Sequence, residues 1–347
     1  MLNKIRWLVS GNGQHSEYAD IVVSSRVRIA RNVSQFNFDV KLKPADAERL
    51  LQFLRTTIGS LIKGEYIDIR QISALERESL LECHLISPAF LRKEKPTGLY
   101  ISEDGDISIM LNEEDHLRIQ ALAAGMNIQQ IADKIFSFED SIGAELDFSF
   151  DETYGFITSC PTNLGTGFRG SVLLHLPGLV FTNEVEKVLK GALQIGMAVR
   201  GIYGEGSEIK GSLFQISNQH TLGLREEDLL QTITKLTSMI VDIEKKARDV
   251  IFSKARHEFE DKIFRSIAIL RSARIISTDE VLNLLSAVRF GVGTGILKEV
   301  NLDVVNEIML VSRPANIQLF YNEILEEHER DVRRADFIRS RLSRKTA

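Results

Sequence analysis

Hydrophobic positions fall into two textures along the chain. As far as about residue 225 they come as short β-branched or alternating runs separated by glycine and polar residues; beyond it they recur at helical spacing among charges. Residues 21–23 are a β-branched run leading into Ser24-Ser25-Arg26-Val27-Arg28. Pro44 opens a helix whose apolar face is Leu50, Leu51, Phe53, Leu54 and Ile58. Residues 98–111 predict a hairpin: Leu99 and Ile101 alternate on one arm, Ile107, Ile109 and Leu111 on the other, and Glu103-Asp104-Gly105-Asp106 supplies the turn. Residues 127–146 carry helical periodicity through Ile128, Ile131, Ile135 and Phe136. Strands are expected at 155–159 and 171–176. An Asn183 cap predicts a helix running towards Val199, with Glu184 and Glu186 in its first turn. Residues 201–216 read as glycine-rich and β-like. Further on, Ser277 and Glu280 form a capping box ahead of Val281, Leu284 and Leu285, and Pro314 separates two more helical stretches. Strand runs interrupted by long helices predict a mixed α/β or α+β domain, a sheet covered by helices. A smaller all-helical domain is expected after a boundary near 251–256, dividing the chain into 1–20, 21–253 and 254–347.

Composition narrows the class. Of 347 residues, 44% are hydrophobic and 26% charged, the balance of an ordinary soluble globular protein of about two domains. Lys and Arg total 43 against 48 Asp and Glu, a net charge of -5. That argues against a global electrostatic grip on nucleic acid but not against a local basic site. Cys83 and Cys160 are far apart, which fits a reducing compartment and gives neither a disulfide framework nor a Cys-x-x-Cys zinc site. No apolar stretch reaches the ~18 residues of a membrane span; the best, 171–181, is broken by His175 and Pro177. Lys4 and Arg6 give way to a polar Ser10, so a signal-peptide core is missing and a cytoplasmic protein is expected.

Gly165-Thr166-Gly167-Phe168-Arg169-Gly170 matches G-x-G-x-x-G, and with Val172 the glycine loop of eukaryotic-type kinases. A dinucleotide site needs a helix next, whereas a β-like run with Pro177 follows; His-Arg-Asp, Asp-Phe-Gly and the P-loop are all absent. Glycines of a tight turn explain the motif better. Arg26, Arg28, Arg118, Arg169 and Arg200 are more informative, since each adjoins a strand candidate in a polar or glycine-rich segment. One such arginine is ordinarily a solvated surface residue, but several suggest a polyanion site, because the guanidinium fork grips phosphate oxygens and keeps its charge. Two acidic segments accompany them: Glu113, Glu114 and Asp115 after a strand candidate, and Glu205 within Gly204-Glu205-Gly206. Alone, the first reads as a helix start and the second as a turn; together they offer carboxylates to hold a cationic substrate. A guanidinium is a poor nucleophile while protonated, so carboxylates that orient it and accept a proton give positioning and general-base help. Cys160 is by default a small buried residue, yet beside a cationic substrate its thiolate would be favoured.

In combination these segments resemble the phosphagen (guanidino) kinase superfamily. The resemblance rests on 24–28, on Asn112-Glu113-Glu114-Asp115-His116-Leu117-Arg118 and on residues 160–169. It also rests on Arg200-Gly201-Ile202-Tyr203-Gly204-Glu205 and Ile216-Ser217-Asn218, so it covers about 21–251 in the family's order. Phe168-Arg169-Gly170, where members often have Leu-Arg-Ala, is a mild departure. Phosphagen kinases acting on free guanidino compounds carry a helical domain ahead of the Ser-Ser-Arg segment. Here about twenty residues precede it and a helical region follows. That order resembles the bacterial protein-arginine kinases (McsB type), as do 84–88, 175–177 and Arg330-Asp331-Val332-Arg333-Arg334-Ala335. The resemblance implies an α+β guanidino-kinase domain, an antiparallel sheet flanked by helices, followed by the helical domain. Ser24, Ser25, Arg26, Val27, Arg28, His84, Arg118, Arg169, Gly170, Ser171, Val172, Leu173, Arg200, Gly201, Ile202, Tyr203, Gly204 and Glu205 would bind ATP. Glu114 would be the base, Glu205 its second carboxylate, and Cys160 would line the substrate pocket. Arg330, Asp331, Val332, Arg333, Arg334 and Ala335 would contribute an allosteric phosphoarginine site.

The resemblance further implies Mg²⁺ carried by the nucleotide with no dedicated protein metal site. Protein substrates would include a stress-response repressor, and a Clp unfoldase–protease would degrade the marked proteins. An activator protein and a homodimer through the C-terminal helices are also implied, with no membrane and no direct nucleic-acid partner. An enzyme acting on free arginine gains from a lid that excludes water, whereas a protein side chain cannot be enclosed that way. The order of domains is therefore expected to leave a cleft open to arginines on protein surfaces. Two other readings compete: a phosphagen kinase for free arginine, and a non-catalytic phosphoarginine-binding adaptor, against which the intact acids and arginines argue.

Overall fold

The structure, a computed structural model, describes Leu8, residues 16–201 and residues 211–343, with Arg200 and Gly201 by backbone alone. In chain order the elements begin with β1 (Val22–Arg31), α1 (Pro44–Leu61), β2 (Gly64–Asp68), α2 (Ala74–Glu82), α3 (Pro88–Leu91), β3 (Gly98–Ser102), β4 (Ile107–Leu111) and β5 (Leu117–Ala124). Next come α4 (Ile128–Gly143), β6 (Phe150–Asp151), β7 (Gly155–Phe156), β8 (Phe168–His175), α5 (Pro177–Phe181), α6 (Val185–Gln194), β9 (Met197–Gly201) and β10 (Leu213–Asn218). The rest is helical: α7 (Glu226–Lys254), α8 (Arg256–Ser272), α9 (Thr278–Gly293), α10 (Leu302–Val311), α11 (Pro314–Tyr321) and α12 (Glu327–Leu342). None of these helices is long and apolar enough to cross a membrane.

Among the described residues one eight-stranded sheet runs β2-β3-β4-β5-β1-β8-β10-β9, every neighbour antiparallel. The expected α+β architecture is thus the observed one. Side chains alternate across a strand, so β1 divides its residues between two faces. Val27 and Ile29 pair with Ala121 and Ile119 on β5 and with Gly170 and Phe168 on β8. This apolar face is buried under α1, α4 and α7 through Leu50, Leu54, Ile131, Ile135, Ile233 and Ile240. The opposite face is covered only in part. Over β3 and β4, Leu99, Ile101 and Met110 join a second core with Leu80, Phe90 and residues of α8 to α12. Both arms of the hairpin are therefore buried throughout. The part of this face formed by β5, β1, β8 and β10 carries polar residues and becomes the cleft described below.

Several elements follow their local signals. Pro44 occupies the first turn of α1, and Ser277 accepts a hydrogen bond from the Glu280 amide at 3.2 Å, half of the predicted capping box. Others differ. The predicted helix from Asn183 to Val199 ends at Gln194, its cap is Glu184, and Asn183 itself has φ of 57°. Gly196 at φ 78° turns the chain, and Met197 and Val199 continue as strand. Of the expected strand at 155–159 only Gly155 and Phe156 pair. The glycine-rich motif runs straight into β8, with Gly165 at φ 104° and Gly167 at φ 59°, so no helix opens on it.

Candidate active site

The cleft is built from the polar positions of four adjacent strands. Ser24, Arg26 and Arg28 share one face of β1. Opposite Arg26 stand Leu122 and Ser171; opposite Arg28 stand Gln120 and Arg169; opposite Ala30 stands Arg118. Arg200 holds the register position opposite Gln215 of β10. Ser24, Arg26, His84, Ser171, Leu173 and Gln215 line a cleft of about 450 Å³. Arg26, Arg28, Arg118 and Arg169 thus converge, and Arg200 takes a register position on the same face, because antiparallel register brings alternate positions of neighbouring strands together.

Their electrostatics are those of desolvated, mutually repelling cations. Desolvation, then the charges of Arg118 and Arg169, push Arg26 down to about 9. Desolvation and Arg118, Arg26 and Arg169 likewise push Arg28 well below its ordinary value. Glu113 is the carboxylate that opposes them in both cases. Buried Gln120 orients the cluster: its Oε1 accepts from Arg26 Nε at 3.1 Å, while its Nε2 donates to the His84 and Leu85 carbonyls at 3.0 and 2.8 Å. His84, at φ 59°, is held at about 3 by desolvation and by the charges of Arg313 and Arg26, so its imidazole is neutral at physiological pH.

The acidic segment is the β4–β5 connection, not a helix start, and its three acids part company. Glu113 is buried; both its oxygens accept from Arg118 Nη1 at 2.7 Å, and one accepts from Ser87 Oγ at 2.5 Å. Burial alone would raise it, but Arg118 and Ser87 hold it below the usual carboxylate range. Asp115 is buried too. Its Oδ1 accepts from Asn32 Nδ2 and from the Ser159 amide, each at 2.7 Å, and so ties the end of β1 to the segment carrying Cys160. Only Glu114 is exposed. Partial burial, then the charges of Asp115 and Glu113, raise its carboxyl above the ordinary range, and a hydrogen bond with the Cys160 side chain opposes that rise. The Cys160 thiol also lies 3.0 Å from Thr162 Oγ1. The three neighbours therefore differ in role: Glu113 braces Arg118, Asp115 is a strut, and Glu114, the residue expected to act as base, faces outward beside Cys160. Ile202, Tyr203, Gly204 and Glu205 lie outside the described residues.

The remaining site candidates follow the same sheet. Ser25 and Val27 are on the buried face, where Ser25 Oγ donates to the Gly125 carbonyl at 2.7 Å. Val172 and Gly170 are on that face also, and the Gly170 amide donates to Asn218 Oδ1 at 2.9 Å. In α12, Arg334 is buried and donates to the Ser312 carbonyl at 2.6 Å, to the Ile276 carbonyl at 2.8 Å and to Asp331. Arg333 forms a two-pronged pair with Glu323 at 2.9 and 2.7 Å, while Arg330 and Val332 are half-buried and Ala335 joins the second core. Arg334 therefore grips the segment just before Arg313, whose charge acts on His84. Glu82 closes the connection by accepting from the Ala315 and Asn316 amides at 2.9 Å each, so α11 is capped by α2. Gln120, Asn32 and Glu82 escaped the sequence reading; spacing of two from Arg118 on a strand would have placed Gln120.

Residues 47–247 match the family described as ATP:guanido phosphotransferase, C-terminal catalytic domain, and residues 256–347 match the protein-arginine kinase McsB C-terminal domain. A protein-arginine kinase of Symbiobacterium thermophilum is 41% identical over 97% of this chain and 96% of its own length. One of Bacillus cereus is 40% identical over 97% and 95%. Among solved structures, a duplicated taurocyamine kinase from Schistosoma mansoni with bound transition-state-analogue components superposes with a TM-score of 0.61 and 26% identity. It covers 67% of this chain, which spans about a third (34%) of that one. Lombricine kinase, with a TM-score of 0.61 at 20% identity over 68% of this chain and 69% of its own, shares the fold. With a guanidino-kinase sheet, a matching C-terminal region and relatives similar over nearly its whole length, this chain belongs to the protein-arginine kinase family of ATP:guanido phosphotransferases.

Proposed function

We propose that this enzyme transfers the terminal phosphoryl group of ATP to arginine side chains of proteins. One observation carries the reading: a sheet face of clustered arginines ends at one outward carboxylate, Glu114, paired with a thiol. Arg26, Arg28, Arg118, Arg169 and Arg200 bind the phosphates and stabilise charge on the moving group. Ser24, His84, Ser171 and Leu173 complete the nucleotide cleft. Glu114, with Glu205 as its second carboxylate, aligns the target guanidinium and takes its proton as the N–P bond forms and the bond from phosphorus to the ADP oxygen breaks. Cys160 holds Glu114 and lines the acceptor side. Among the described residues no group of three His, Cys, Asp or Glu could hold a metal, and the cleft presents guanidiniums. The family resemblance supports Mg²⁺ as a companion of the nucleotide phosphates, where it would supply charge neutralisation.

The finer reading comes from the family resemblance. Phosphoarginine marks proteins for a Clp unfoldase–protease, and a stress-response repressor is among the substrates; the protein works in the cytoplasm as a homodimer, with an activator protein. The Arg330 to Ala335 segment forms a second phosphoarginine site. Its support is the adjacency of Asp331 and Arg334 and their link through Ser312 and Arg313 to His84. Incubation with ATP and either an arginine-rich protein or free arginine tests the acceptor. Phosphorylation of protein is expected; efficient phosphorylation of free arginine with none of protein contradicts the reading.

A further inference from the structure

Next to the Cys160 segment lies an open groove of about 550 Å³. Phe150, Tyr154, Leu222 and Leu224 line it and are 60, 53, 50 and 45% exposed. Single exposed apolar residues are ordinary, but four around one groove point to a binding surface. The groove is continuous with the acceptor segment. Gly165 lines it, and its carbonyl accepts from the Phe156 amide at 2.8 Å. Thr221 Oγ1, one residue before Leu222, donates to the Thr162 and Leu164 carbonyls at 3.1 and 2.7 Å. A Cβ on Gly165 would fall 2.7 Å from the Thr221 carbonyl, so this contact has no slack. The Tyr154 turn is likewise fixed, because Asp151 Oδ1 accepts from the Thr153 and Tyr154 amides at 2.8 and 3.0 Å. Groove and Cys160 segment are therefore tied together through these hydrogen bonds. Glu226 is the charged residue lining the groove, and Glu227 and Asp228 follow in the same helical turn.

We propose that this groove docks the polypeptide flanking the target arginine of a protein substrate, seating an apolar or aromatic side chain with a basic neighbour facing Glu226. The inference rests on the kinase reading above and names the sequence context that the same site selects. Two arguments fix the occupant. The groove adjoins the acceptor side through the six residues 160 to 165, and two to four extended substrate residues reach roughly 7–13 Å. Its charge is complementary to arginine- and lysine-bearing segments, and aromatic faces also accept guanidinium stacking.

The test uses the full chain and two peptides with one arginine each, one flanked by Leu, Phe and Lys, the other by Gly and Ser. Wild type is expected to favour the first about tenfold in kcat/KM, chiefly through KM. Tyr154→Ser with Leu222→Ser should erase the preference while leaving the Gly/Ser peptide and the KM for ATP unchanged. Glu226→Gln should remove the part of the preference that depends on Lys. Equal wild-type efficiency on both peptides overturns the groove alone, as does an equal loss on both in the double variant. A changed oligomeric state with the preference intact assigns the groove to a second copy instead. Wild type that phosphorylates neither peptide nor protein overturns the kinase reading, and this inference with it.

Discussion

Glu114 owes its chemistry to what its neighbours do not do. Glu113 is consumed by Arg118 and Ser87, and Asp115 by Asn32 and the Ser159 amide, which leaves one acid of the three pointing outward. Partial burial, then their two negative charges, raise its carboxyl, a direction suited to a general base working nearer neutral pH. Glu114→Gln is expected to lower kcat about a hundredfold or more while the KM for ATP stays in place. A base acts deprotonated, so a raised pKa moves the acid limb of the rate profile upward. The Cys160 hydrogen bond opposes that rise. Cys160→Ala should therefore shift the limb to still higher pH in a pH–kcat profile; a limb that stays or moves down contradicts the pairing. The arginines obey the converse logic. Arg26 and Arg28 are depressed by burial and mutual repulsion, so removing one relieves strain in the empty protein and weakens ATP. Arg28→Met should raise the Kd for ATP at least about tenfold without lowering the Tm of the ligand-free enzyme. A large fall in that Tm would mean the arginine is structural.

At the level of elements, α11 is held by a carboxylate from another helix. Glu82 fills the role of an N-cap, accepting from the Ala315 and Asn316 amides, and sits two residues before His84. Glu82→Ala is expected to cost about 1 kcal/mol in denaturant unfolding and to weaken ATP binding through His84; unchanged stability would remove the cap from the account. Elements with clean periodicity were legible: α1 from Pro44 and its apolar stripe, the β3–β4 hairpin from alternation around an acidic turn, and the split at Pro314. β5 was not. Its sequence, Leu-Arg-Ile-Gln-Ala-Leu-Ala-Ala, is rich in helix formers, and burial against both cores removes the alternation that marks a half-exposed strand. Missing β5 hid Gln120, the residue that orients Arg26. The helix ending at Gln194 was overextended because Met197 and Val199 continue a plausible helical stripe, while the break depends on the left-handed Gly196. The arginines were found by residue type and context, yet their convergence needed register, which no single strand encodes.

Across the molecule, one sheet serves two cores, and among the described residues the candidate site occupies the strip that neither covers. A buried network joins the C-terminal helices to the sheet's entry. Arg248 pairs with Glu244 at 2.9 Å and with Asp20, while Arg289 donates to the Asp20 carbonyl at 3.2 Å and to Asn306 at 2.6 Å. Glu244 also caps α5 through the Gly178 and Leu179 amides at 2.9 Å. With the second link through Glu82 and Arg313, the C-terminal region reaches the His84 side of the cleft, while among the described residues Glu114 stays exposed beside Cys160. An exposed Glu114 suits the proposed acceptor, an arginine carried on a protein. Most direct is mass spectrometry of a protein substrate after incubation with ATP, kept at non-acidic pH because the P–N bond is acid-labile. Phosphoarginine is expected with the wild-type chain and its near-complete loss with Glu114→Gln; equal modification by both, or none by the wild type, would contradict the account.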